Sequence, residues 1–392
     1  MDQQTVQLVS QQLPKLRQKQ VAAALKLMDE GNTIPFIARY RKEMTGTLDE
    51  VQLQEIRDQY HHITTLRERQ ETVINKIQEQ GKLTSALEKQ IKEATDLQTV
   101  EDLYLPYKQK RQTKAQKARE HGLAPLANWL LTYPDANLTA KAATFVNDEV
   151  VSPADALAGA HEILAEAISE MVTVRAWLRN FTNRHGQLVT TCKKGGAEKD
   201  ELKTYQQYYD FTSAIKNLSS YQTLAINRGE KEGVLSVKVD VDEDAVLNYL
   251  KFRLIRTSKE NAATAFITEA AADSYKRFLG PAIEREIRRQ LTASADQQAI
   301  KVFGENLYHL LMQAPIKGKV VLGFDPAYRT GCKLAVLDEN GKFLEKAVIY
   351  PHKPAPEKQR AAAEGELIDL LEKYHVEMIA IGNGTASREV GS

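Results

Sequence analysis

At Val320 the residue pattern changes from one that builds helices to one that builds strands, and this switch limits the fold more than any other feature. Upstream, apolar residues recur at helical spacing almost throughout. Downstream, Val320-Val321-Leu322-Gly323-Phe324 is a short β-branched run of the kind a buried strand uses, and it ends in Asp325. Lys333 to Leu337 is a second such run. Asp338-Glu339-Asn340-Gly341 supplies a hairpin turn ending in Asn-Gly, and Phe343 to Tyr350 is a third run. A helical pattern from Pro356 to about His375 and the run Val376 to Ile381 complete the order strand-strand-strand-helix-strand. The sequence therefore predicts a mainly α, multi-domain chain followed by a smaller α/β part.

Upstream of the switch, Pro14 suits the first turn of a helix that Gly31 closes. Thr47-Leu48-Asp49-Glu50 reads as a capping box opening a helix of about 33 residues, which Gly81 ends. Its apolar face carries Val51, Ile56, Ile63, Leu66, Val73 and Ile77. Ser85 to Glu88 reads as a second box. Ser152-Pro153-Ala154-Asp155 caps a helix expected to run to about Asn183, broken at His185-Gly186. Leu188 to Lys194 is a strand candidate turned by Gly195-Gly196. Val234 to Val241 alternates with period two and follows Arg228-Gly229-Glu230-Lys231, read as a charged turn. Gly280-Pro281 opens an uninterrupted helical pattern to about Ala314, where Pro315 stops it. Such a helix spans roughly 50 Å and would join the helical part to the strand part. The domains expected are a helical region over 1–150, a helical region with a small β element over 151–280, a connecting helix over 281–316, and an α/β domain over 317–392.

With 392 residues and 42% hydrophobic content the chain can build several cores. Its 53 Lys and Arg against 52 Asp and Glu exclude a global pull toward nucleic acid, so any such binding is expected from local patches or from a part outside the given sequence. The most basic stretch holds Lys108, Lys110, Arg111, Lys114, Lys117 and Arg119, just after Tyr104 and Tyr107. Cations neutralise phosphates and rings stack bases, so this run is the candidate nucleic-acid surface, against the plainer alternative of a solvated helix. Arg39, Arg41 and Lys42, within Ile34 to Met44, read first as the solvated basic face of a helix, with a nucleic-acid contact as the alternative. Tyr205, Tyr208 and Tyr209 read as core, and Arg285, Arg288 and Arg289 as solvent-facing. Two cysteines, Cys192 and Cys332, suit a reducing compartment. Neither a membrane-spanning run nor a signal pattern occurs, so the expected location is the cytoplasm. None of the eight histidines has zinc spacing. There is no Walker lysine loop and no G-x-S-x-G elbow, and Gly382-Asn383-Gly384 lacks the third glycine of a dinucleotide loop. No cofactor is expected.

GFDPAYRTG with LAVLDENGKFLEKAVIYPH resembles the YqgF-type ribonuclease-H-like domain of the Tex family, the bacterial transcription accessory proteins. Three further stretches share the resemblance: GNTIPFIARYRKEMTGTLDE from Gly31, VEDLYLPYKQKRQTKAQKAREHGL from Val100, and Leu218 to Lys238 with LAINRGEKEGVLSVK. It runs nearly end to end, with one departure at Ala327, where the family usually has Gly. The resemblance implies a helical N-terminal region with a helix-turn-helix-like part, then a ribonuclease-H-like domain cut short. The helix-hairpin-helix and S1 RNA-binding domains of the family are not in the sequence. The chain is thus expected to be an N-terminal fragment, with Gly391-Ser392 a candidate cloning remnant.

The implied function is a scaffold in transcription that binds RNA or DNA, weakly in this fragment, with RNA polymerase or other transcription proteins as partners and no membrane. The first alternative is a metal-dependent nuclease or junction resolvase. An acid ending the first strand, as Asp325 does, is where a ribonuclease-H-like fold holds a metal, although strand pattern alone favours an ordinary hairpin whose Asp begins a turn. Two-metal chemistry needs several carboxylates around ions about 4 Å apart. Only Asp325 and Glu389 are candidates, read as vestigial, and no metal site or enzymatic activity is expected. The second alternative is a helical protein-interaction module.

Overall fold

A computed structural model describes residues 3–109, 112–314 and 316–383 of the chain. Two compact units divide it, Met1–Ala299 and Ile300–Ser392.

The first unit opens with α1 (Gln3–Gln12), α2 (Gln18–Asp29), α3 (Ile34–Tyr40) and α4 (Lys42–Thr45), gathered on the long α5 (Glu50–Glu79). Val9, Val21, Leu25, Ile37, Leu53 and Ile56 form their shared core. The segment from Ile34 to Met44 is two helices, because Arg41 leaves helical geometry at φ −129°. Thr47 does not open α5. Its φ of 67° places it in the left-handed region, and Asp49 is the cap. The Asp49 carboxylate accepts from the Gln52 amide at 2.8 Å, and the Gln52 side chain accepts from the Asp49 amide at 3.1 Å, so the box lies two residues later than its sequence signature. α6 (Ser85–Glu93) and α7 (Leu97–Tyr104) cover the second half of α5 through Val73, Ile77, Ile91 and Val100. Thr84, rather than Ser85, caps α6 by accepting from the Leu87 amide.

α8 (Lys114–Glu120), α9 (Ala124–Leu130), α10 (Leu138–Ala143), α11 (Pro153–Ser169) and α12 (Val172–His185) follow. Ser152 caps α11 as its sequence suggests. The helix expected from there to Asn183 is broken, however. Met171 is extended (ψ 111°), and the bend lets Val174 and Leu178 of α12 enter the core that holds Ile163 and Leu164. Next come β1 (Gln187–Cys192), α13 (Gly196–Lys199), β2 (Asp210–Ala214), α14 (Ser220–Lys231) and β3 (Leu235–Asp240). The strands form an antiparallel sheet in the order β2-β1-β3. Arg228 to Lys231 is not a turn but the last turn of α14. A Cβ on Gly229 would stand 2.7 Å from Leu235 Cδ1, so the close helix–strand contact explains the glycine that looked like a breaker. Tyr205 and Tyr208 are core, with Leu188, Ile226 and Leu235. α15 (Glu243–Leu254) and α16 (Ala262–Ser274) lead into a wide π-turn, Tyr275–Leu279, and then α17 (Gly280–Leu311), the long helix expected there.

In the second unit, β4 (Val321–Asp325), β5 (Cys332–Leu337) and β6 (Phe343–Ile349) form the expected meander. Gly341 takes φ +81° in its turn, and Asp338 accepts from the Asn340 and Lys342 amides. α18 (Glu357–Tyr374) then carries the chain to β7 (Met378–Ile381), which pairs parallel to β4. The sheet order β6-β5-β4-β7, packed on α18 through Leu322, Phe324, Leu334, Val336 and Leu370, is a partial α/β ribonuclease-H-like arrangement. The protein is thus mainly α, with that α/β part at its end. Among the described residues no helix is long and apolar enough to cross a membrane.

Candidate nucleic-acid interface and strand-end acid

Of the basic run, Lys110 and Arg111 lie outside the described residues. Lys108 is exposed after the short turn Leu105–Tyr107. Thr113 caps α8, and Ala115 and Ala118 bury its inner face, which leaves Lys114 and Lys117 exposed. Two carboxylates of α11 face this run. Glu162 lies 3.6 Å from the Lys114 ammonium, and Glu166 accepts from the Arg119 guanidinium at 2.5 Å and from the Thr113 hydroxyl at 3.0 Å. The positive charge is therefore partly offset by groups far away in sequence. The two tyrosines before the run differ in burial. Tyr104 is buried among Val73, Ile91 and Val100, with the Arg69 guanidinium 5.5 Å from its ring centre, and Tyr107 is half-buried. Tyr104 is thus a core residue with its ring against Arg69, a cation from outside the run.

Asp325 stands exposed at the end of β4, in register with Lys333 on β5. Asp338 and Glu339 follow Leu337, which pairs with Val321 at the other end of the ladder, roughly 13 Å from Asp325 at strand rise. Glu389 lies outside the described residues. Among the described residues no group of three or more His, Cys, Asp or Glu side chains is placed to hold a metal ion. Ala327 has no left-handed backbone, so its methyl group introduces no strain where Gly was the expectation.

The most elaborate ionic site is one that composition does not signal. Asp102 of α7 and Glu286 of α17 are 2% and 3% exposed, and they enclose Arg175 and Arg179 of α12. Asp102 accepts from Arg175 Nε at 2.8 Å and from an Arg179 terminal nitrogen at 2.6 Å. Glu286 accepts from Arg179 Nε and from its terminal nitrogen. Two cations meet two anions, so the desolvated charge balances. Burial opposes the Arg179 charge, but hydrogen bonds to Glu286 and Asp102 outweigh it and raise the guanidinium above its ordinary value. The i, i+4 arginines on one face of a helix are the sequence signal that could have found it. Nearby, Arg288 is not solvent-facing. It donates to Glu230 and Asn227, whereas Arg285 and Arg289 are exposed.

Three family models match the chain in succession: "Tex-like protein N-terminal domain" over residues 3–78, "Tex central region-like" over 133–303, and "Tex protein YqgF-like domain" over 319–392. Protein YdcI of Bacillus subtilis is 47% identical over 392 residues, covering 98% of this chain and 54% of that protein. "Transcriptional accessory protein Tex" of Neisseria gonorrhoeae is 37% identical, covering 94% of this chain and 48% of that protein. "S1 RNA-binding domain-containing protein 1" of Homo sapiens is 30% identical, covering 94% of this chain and 38% of that protein. The chain spans about half the length of the bacterial relatives it matches. With the N-terminal, central and YqgF-like regions following one another in this order, and with named Tex proteins aligned along most of its length, the chain belongs to the Tex family.

Proposed function

We propose that the chain acts as a nucleic-acid-associated scaffold beside the transcription machinery in the cytoplasm, and that its ribonuclease-H-like part performs no hydrolysis. The transcription reading is supported by a relative that carries the name "Transcriptional accessory protein Tex". The observation that supports the scaffold reading is that, among the described residues, Asp325 at the end of β4 belongs to no group of three or more potential metal ligands. A single carboxylate holds Mg²⁺ weakly, because the ion keeps most of its waters until further carboxylates or phosphates join it. Lys333, opposite on β5, adds a cation where a metal would need anions. Binding of RNA or DNA through exposed lysines such as Lys108, Lys114 and Lys117 should be weak and should fall with salt along the counterion-release slope.

Two experiments test this reading. Incubation with Holliday junctions, single-stranded RNA and duplex DNA in Mg²⁺ or Mn²⁺ should leave every substrate intact. Cleavage that disappears in Asp325→Asn would establish the nuclease instead. Immobilised chain should also retain RNA polymerase from a purified preparation, and failure to do so removes the transcription partner.

A further inference from the structure

Helices α3 and α4 place exposed rings beside exposed cations. Phe36 and Tyr40, one helical turn apart, are 36% and 67% exposed, and Met44 extends the same spacing at 59%. The two rings lie 5.3 Å apart, tilted by 45°. Arg41 places its guanidinium 5.2 Å from the centre of the Phe36 ring. Arg39, Arg41 and Lys42 are all exposed, against one carboxylate on the two helices, Glu43. Among the described residues none of the three cations has an ion-pair partner. On the inner side, Ile37 and Ala38 are buried in the same core as Leu53. The rings are therefore held outward by a fixed helix rather than by a loose loop.

A partner for this face must satisfy both components. A purely apolar surface would strip water from three cations and give them nothing in return. A purely acidic one would leave two rings unused. Single-stranded nucleic acid offers open base faces for the rings and phosphates for the cations, whereas a duplex keeps its base faces stacked on one another. We propose that the α3–α4 face binds single-stranded nucleic acid, with bases on Tyr40 and Phe36 and the backbone on Arg39, Arg41 and Lys42. The assignment rests on the nucleic-acid reading above and gives it a location distinct from the α8 lysines.

The test is fluorescence anisotropy at low salt on the whole chain, with labelled oligo(U) and oligo(dT) of about 12 nucleotides. Tyr40→Ala should weaken binding by about tenfold, the loss of one stacked base, while Tyr40→Phe keeps the ring and the affinity. Arg39→Gln with Lys42→Gln should flatten the salt dependence by about 0.7 per lost phosphate contact. Tyr40 is mostly in water, so thermal melting of Tyr40→Ala should match the parent chain. A duplex of equal length should bind more weakly than the single strand. Unchanged affinity in Tyr40→Ala, with loss of binding in Lys108→Glu plus Lys117→Glu, overturns the α3–α4 site and leaves the broader nucleic-acid reading standing. No binding by the parent chain overturns both. If an acidic, aromatic peptide binds in a Tyr40-dependent way and the oligonucleotides do not, the face belongs to a protein partner and the proposal fails.

Discussion

Asp102→Asn should be among the most damaging single-atom changes in the first unit. The substitution keeps the shape of the side chain and removes its charge. Asp102 accepts three hydrogen bonds, from Arg175 at 2.8 Å, Arg179 at 2.6 Å and Gln98 at 3.2 Å. Without its charge, Glu286 alone faces two guanidiniums whose side chains are only 11% and 14% exposed. One uncompensated buried charge costs about 3–5 kcal/mol. Slight water access to the arginines favours the lower end, about 3 kcal/mol. That is a large share of a total stability of about 5–15 kcal/mol. With a urea m-value of about 3 kcal/mol/M, the unfolding midpoint should fall by roughly 1 M. Both tryptophans of the chain, Trp129 and Trp177, lie in the first unit, so their fluorescence follows this unit separately from the second. The control is Asp58→Asn, whose pair with Arg57 is more than half exposed and should contribute at most about 1 kcal/mol. An Asp102→Asn midpoint indistinguishable from that of the control would refute the claim that the four charges are desolvated together.

Two further outcomes concern other parts of the chain. Gly331 takes φ +74°, and a Cβ there would lie 2.7 Å from both Tyr350 and Val348, so Gly331→Ala should destabilise the second unit by about 2 kcal/mol. Faster amide exchange in β5 and β6 with an unchanged tryptophan transition is the check. The Arg277 hydrogen bond holds the Asp273 carboxyl below its ordinary range, against the opposing effect of burial. A carboxyl depressed on folding contributes stability above its unfolded value, near pH 4, and loses it as pH falls through the lower folded value. Arg277→Gln should therefore shrink the acid-sensitive part of the first unit's stability, and urea midpoints measured from about pH 5 down to about pH 2.5 would show it.

What could be read without coordinates was whatever neighbours in sequence decide. The β4-β5-β6 meander was legible because its strands are adjacent and Asn340-Gly341 specifies the turn between the last two. The length of α17 was legible because nothing between Pro281 and Leu311 interrupts a helix. β2 escaped notice because Asp210, Thr212 and Ser213 have no strand pattern of their own and take their conformation from pairing with β1. Thr47 and Asp49 both qualify as caps by type, and only backbone geometry chooses between them. The place of Asp325 at a strand end was visible, but its distance from Asp338 and Glu339 depends on where the hairpin turn goes in space. The carboxylates that offset part of the basic run were hidden for a related reason. The group that accepts from Arg119 lies 47 residues further along, on a different helix.

The π-turn at Tyr275–Leu279 gives this region an uneven tolerance to changes in chain length. A π-turn accommodates one more residue than an α-turn would, without altering the bearing of the helix beyond it. Removing one residue there would convert the wide turn into an ordinary one, and Ile283, Glu286 and Ile287 would still face inward. The same deletion placed between Pro281 and Ile283 rotates everything after it by about 100°. Glu286 would then swing out toward water, and another side chain would be driven between the two arginines. Natural or engineered changes in length should therefore collect in that one turn, where the rest of the helix does not register them.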